Sequence, residues 1–152
     1  MAQLLYPQAA EIVSVTAIQL PFKTASVGLF KETIAFGPFL AEADLVAIEA
    51  NFTGYTRKTL TTLPAAFPDQ QNGGASFVLP TQSFAVGSTP TVFNDIYGGW
   101  MEDSSANLLF AFQLATPWPM NEALVALNLD ALFNFFGNNL TLGTVTINNI
   151  LQ

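Results

Sequence analysis

Glu102 and Asp103 stand side by side at the end of an apolar run. Two adjacent carboxylates are the residue types that could hold a divalent cation or work as an acid pair. They open the polar hexapeptide Glu102-Asp103-Ser104-Ser105-Ala106-Asn107, whose composition is that of a turn, so a solvated loop is the expectation. Asp95 and Asp130 alternate with apolar neighbours and are expected to face solvent from strands. Tyr97, Trp100 and Trp118 are of the kind that builds an aromatic platform for sugars. In a chain with fourteen Phe they read instead as core or subunit-interface residues. Arg57-Lys58, beside Tyr55, is the one basic spot. A salt bridge from it to the acidic face of a neighbouring copy is the expectation. Tyr55, Arg57, Lys58, Tyr97, Trp100 and Trp118 are therefore the interface candidates.

The chain contains neither histidine nor cysteine. The first absence removes the commonest general base and metal ligand, the second removes disulfides, thiolate nucleophiles and thiolate-bound metals. Ser-His-Asp and Cys-His catalysis and the usual zinc sites are excluded with them. No catalytic, cofactor-binding or metal-binding residue is assigned, and a non-enzyme without a cofactor is expected. Asn51-Phe52-Thr53 and Asn139-Leu140-Thr141 match the glycosylation sequon. Without a secretory signal they read as chance matches.

The elements that must position these residues are mostly strands. Ile12 to Leu20, Ser26 to Ile34, Tyr55 to Leu63, Ser76 to Leu79, Ser83 to Val86 and Thr141 to Ile150 are short runs rich in β-branched and aromatic residues, bounded by Pro, Gly, Asn and Asp. Thr91 to Met101 and Leu108 to Leu114, joined by the polar hexapeptide, predict a hairpin. Thr116-Pro117-Trp118-Pro119 predicts a rigid extended connector, because proline cannot donate to a central strand ladder. Ala123 to Phe136 fits a period of two better than a helical one, with Asn128, Asp130 and Asn134 opposite the apolar face. Pro38 to Ala50 predicts one short helix or a turn-rich loop, and Gln70 to Gly74 a flexible loop.

At 152 residues the chain suits one domain, with roughly 70% of its unfolded surface buried. Hydrophobic residues make up 51% and charged residues 10%, against about 25% charged in a typical soluble domain. That excess predicts apolar surface covered by a partner, most simply another copy. All four basic residues lie in the first 58 positions, nearly balanced by five acids, while residues 59–152 hold six acids and no base. Such a chain does not neutralise phosphates, which argues against nucleic acid and anionic membranes as partners. No uncharged apolar window reaches membrane-spanning length, and Met1 to Glu11 lacks the features of a signal peptide, so synthesis and retention in a cytoplasm are expected. The fold predicted is mostly β, a single β-sandwich of jelly-roll or Greek-key type over residues 26–152, with one short helix and residues 1–25 as an arm or first strand.

Two segments resemble a family of small proteins encoded among the structural genes of tailed phages. The first is Asn51-Phe52-Thr53-Gly54-Tyr55 with Arg57-Lys58-Thr59-Leu60, preceded by Leu29-Phe30-Lys31 and Leu40-Ala41-Glu42-Ala43-Asp44. The second is Tyr97-Gly98-Gly99-Trp100, the polar turn, Leu108-Leu109-Phe110-Ala111-Phe112, then Pro117, Met120 and the run from Leu124 to Leu132. Order and spacing match over residues 28–133. The resemblance implies a virion protein, with capsid decoration (cement) as the leading role and a fibre or glycan-binding receptor domain as the alternative. For that role the expected partners are the major capsid protein and further copies of the chain, as a homotrimer because capsids offer local three-fold sites. It implies no active-site residue. The N-terminal extension and the tail Gly137 to Gln152 depart from the pattern.

Overall fold

The computed structural model describes residues 23–37, 40–61, 65–69, 74–123, 125–136 and 139–149; for 65–69, 74–78, 130–136 and 139–149 it describes the backbone. Strands dominate: β1 Ser26–Phe30, β2 Lys58–Thr59, β3 Ala65–Asp69, β4 Gly74–Val78, β5 Gln82–Ala85, β6 Asn94–Glu102, β7 Leu108–Met120, β8 Ala126–Phe136 and β9 Asn139–Asn149, with one helix among the described residues, α1, Glu42–Ala47. They form two antiparallel sheets. The first runs β2-β1-β6-β7; the second runs β3-β4-β8-β5, with β9 along β8.

The first sheet is buried on both faces. Val27 and Leu29 of β1, Ile96 and Met101 of β6 and Phe112 and Met120 of β7 share one apolar cluster with Phe84 of β5 and Leu127 and Leu129 of β8. Phe30 and Trp100 form a second cluster with Leu45 of α1, flanked by Ile34, Leu40, Ile48, Tyr97, Leu108 and Ala111. Each fully buried Leu or Phe contributes about 1.5–3 kcal/mol, so both faces matter to stability. α1 starts without a side-chain cap from its first flanking residue. Ala41 at its start has no polar side chain, and Asp44 reaches back instead, its Oδ2 accepting from the Ala41 N–H at 3.0 Å.

Glycines make room for the rings inside this sheet. Gly28 faces Trp100, Gly98 faces Phe30, and Gly99 faces both Leu29 and Phe112 across the ladder. A Cβ on Gly28 would lie 2.5 Å from the Trp100 ring, one on Gly99 3.0 Å from the Phe112 ring, and one on Gly98 would run into Phe30 and the Phe112 carbonyl. The Tyr97-Gly98-Gly99-Trp100 segment is therefore a packing device, in which missing side chains receive neighbouring rings.

The hairpin predicted from the sequence is present as β6 and β7. Asp103 organises its turn: Oδ1 accepts from the N–H groups of Ser105 and Asn107 at 2.8 and 2.9 Å, and Oδ2 accepts from the Asn107 side chain at 2.8 Å. These bonds, that of the Asn107 side chain foremost, hold the Asp103 carboxyl below its ordinary value. Ala106 sits at φ 62°, the left-handed conformation that the turn requires.

Several expectations need correction. Thr116 to Pro119 is no connector, because β7 continues through it to Met120. The strand tolerates Pro117 and Pro119 by lying at the end of the sheet order, and Tyr97 opposes the whole stretch 114–117 as an irregularity in the ladder. Of the run Tyr55 to Leu63, the described residues 55–61 hold strand only at Lys58–Thr59. Strand β3 was not anticipated; Pro68 lies inside it. Asn128 is buried rather than solvent-facing, at 7% exposure. The expected strand Ile12 to Leu20, most of the arm 1–25 and most of the loop 70–74 lie outside the described residues.

Candidate functional site

Arg57 stands in the segment leading into β2, and carboxylates from three other places converge on it. Glu49, which follows α1, receives two parallel bonds: Arg57 Nε donates to Oε1 and Nη2 to Oε2, both at 2.8 Å. Nη1 donates to Oε1 of Glu102, at the end of β6. Glu42, in the first turn of α1, stands 3.7 Å from the same Nη1. The guanidinium lies over the Trp100 ring, 5.1 Å from its centroid, and the Trp100 Nε1–H donates to Oε2 of Glu102 at 3.2 Å. The planar cation is thus held at its edge by carboxylates and on its face by an indole, a geometry that lysine does not reproduce. The hydrogen bonds to Glu49 raise the Arg57 pKa further, so the guanidinium stays charged throughout.

Tyr55 extends the network to the strand edge. Its hydroxyl donates to Glu49 Oε1 at 2.8 Å and accepts from the Leu29 N–H at 3.0 Å. β2 covers β1 only at Ser26 and Val27. Beyond that point the Tyr55 hydroxyl, Ala50 N–H to Leu29 O at 2.8 Å, and Lys31 N–H to Ile48 O at 3.0 Å complete the edge of β1. Burial, above all, pushes the Tyr55 phenol above its ordinary value of 10.0.

The six interface candidates therefore separate. Tyr55, Arg57 and Trp100 are drawn together into this intramolecular network, and the Arg57 donors expected to meet a neighbouring copy are engaged within its own chain. Lys58 points elsewhere, its Nζ 5.8 Å from the Phe84 ring centroid. Tyr97 packs, half-buried, against the Phe30–Trp100 cluster. Trp118, also half-buried, packs against the larger cluster, and its Nε1–H is buried without a hydrogen-bond partner among the described residues. Trp100 is fully buried and presents no face to a sugar. Glu102 is likewise not a solvated turn acid; it is 7% exposed and belongs to the network, whereas Asp103 alone serves the turn.

A second feature escaped the sequence reading. Val92 and Phe93 are exposed at 40% and 45%, on the segment leading into β6. Thr53 pins that segment. Its Oγ1 accepts from the N–H groups of Thr91 and Val92 at 2.9 and 3.0 Å, and its own N–H donates to Val92 O at 2.9 Å. Asn94 Oδ1 accepts from the Asn51 N–H at 2.7 Å. Two adjacent apolar side chains are thereby presented from a fixed backbone. Elsewhere, Ile34, Ala35, Gly37, Leu40, Asp44 and Ala47 line an open depression of about 490 Å³ beside α1, with Phe36 and Val46 exposed on the same segments.

The Arg57 network braces the segment after α1, the edge of β1 and the end of β6 against one another. Among the described residues no group of three or more Asp or Glu has metal-binding geometry, and no helix is long and apolar enough to cross a membrane. Compared with known proteins, the chain matches no family model, and neither a curated protein nor a solved structure is found to be similar to it.

Proposed function

We propose that the chain is a structural subunit of a tailed-phage particle, a capsid decoration protein that stabilises the assembled head from outside. Its two sheets face one another as a β-sandwich of jelly-roll or Greek-key type. Copies associate as a homotrimer through the Val92–Phe93 segment and dock on the major capsid protein. Because such a subunit binds only the assembled shell, its binding free energy stabilises that state alone. The reading rests on the motif order over residues 28–133 and on one structural observation. Val92 and Phe93 are held exposed by Thr53 rather than folded into either cluster. A fixed, uncharged, apolar projection loses little entropy on docking, which is the economy an assembly contact needs. The glycan-binding alternative loses Trp100 as a platform, since its ring lies wholly inside the protein.

Light scattering across a concentration series tests the assembly contact. The wild-type chain is expected at three times its 16.3 kDa mass, and Phe93→Ser is expected to shift the population toward single chains. A wild-type chain that is monomeric throughout would remove the homotrimer. An unaltered trimer in the variant would move the contact away from Phe93.

A further inference from the structure

The first sheet has two outer sides, and each is closed by a different device. Along β1, β2 takes Ser26 and Val27, and the Leu60 N–H donates to Ala25 O at 2.8 Å beside them. Both backbone groups of Leu29 are also in use. Its N–H donates to the Tyr55 hydroxyl at 3.0 Å, and its carbonyl accepts from the Ala50 N–H at 2.8 Å. Beyond it the Lys31 N–H donates to Ile48 O at 3.0 Å. These bonds use the groups that an incoming strand would need along β1.

The other side ends in β7, thirteen residues long and last in the sheet order. A long end strand is ordinarily a template for pairing with another chain, all the more where only 10% of residues are charged. Near its end β7 pairs with β6 through Trp118 opposite Ile96, Pro119 opposite Asp95 and Met120 opposite Asn94. Proline has no N–H, so the β7 donors of this stretch are Trp118 and Met120. Pro119, between them, is the position whose nitrogen and carbonyl turn outward. Pro117 offers no N–H to either side. The outer edge here thus presents a carbonyl without the N–H that accompanies it in a pairing edge. Ala115, Thr116 and Pro119 are exposed, so another copy could reach it.

We infer that Pro117 and Pro119 seal the end strand of the first sheet against strand addition by a second copy. With the β1 side occupied, copies meet through side chains rather than by joining these sheets. Such a seal serves a chain this poor in charge inside a particle or out of it.

Restoring the missing donors tests the seal. Threonine suits strands and carries an N–H, so Pro117→Thr/Pro119→Thr is expected to keep the fold, read by near-ultraviolet circular dichroism, and to associate. Its light-scattering mass is expected to rise with concentration to about twice that of the wild-type chain or more, because one edge-to-edge pairing doubles the particle. Adding Ala115→Lys is expected to return the mass to the wild-type value, since like charges then meet on the paired edges. General solubility does not account for that return, because the chain carries −7 and lysine brings it nearer neutrality. A double variant with the wild-type mass at every concentration overturns the seal. So does association that Ala115→Lys leaves unchanged, which would mark an opened core rather than paired edges. If the double change prevents folding, Pro119→Thr alone, at the exposed position, carries the same readings.

Discussion

Arg57 gathers acids that lie 8 and 45 positions away in the chain, and its removal would leave them facing one another. Breaking a partly buried pair from one side is costly, because the remaining charge keeps its desolvation penalty and loses its compensation. Arg57→Met is accordingly expected to lower stability by about 3 kcal/mol, measured as a shift in the urea midpoint. Arg57→Lys keeps the charge but not the paired bonds to Glu49 or the stack on Trp100, and about half of that loss is expected. A lysine variant as stable as the wild type would reduce the network to a simple charge effect. Little of this was legible beforehand. The sequence marks Tyr55, Arg57 and Trp100 as unusual, but pairing Arg57 with a neighbouring copy rather than with Glu49 and Glu102 is the choice that local reading favours. The true partners are set by how β6 ends beside β1, a long-range fact. A low-charge chain offers one usable hint, since isolated charges in an apolar chain are seldom left unpaired.

At the scale of elements, period-two patterning and turn chemistry recovered the β6–β7 hairpin and the strand character of β8, and of the two readings of Pro38 to Ala50 the short helix is the one present. Patterning failed at Asn128, which β8 buries beside Leu127 and Leu129 although its position opposes the apolar face. It failed also at the prolines, because Pro117 and Pro119 were read as forbidding a central strand when β7 ends the sheet order. The glycine–ring pairs supply a prediction of their own. Gly28→Ala places a methyl 2.5 Å from a fully buried indole. Overpacking of that kind costs about 1–3 kcal/mol, and the thermal midpoint should fall accordingly. Gly98→Ala, which meets a backbone carbonyl as well as Phe30, should cost more. The reverse order would mean that Trp100, braced by Arg57 and Glu102, is less able to yield than the β7 backbone.

For the whole molecule, charge is scarce, at 10% of residues. Among the described residues, Arg57 meets Glu42, Glu49 and Glu102 in one network, and the first sheet carries an apolar cluster on each face. The Val92–Phe93 projection lies outside both clusters, and the proposed virion role assigns it a purpose. That role is tested most directly by the composition of the particles themselves. Peptide mass spectrometry of phage particles, banded by density from a lysate of the host that carries the gene, measures whether the chain travels with them and in what ratio to the major capsid protein. The expected result is its presence in the banded particles at a fixed ratio, high enough for regular capsid sites. Its confinement to the soluble lysate, with none in the particles, would contradict the virion role outright.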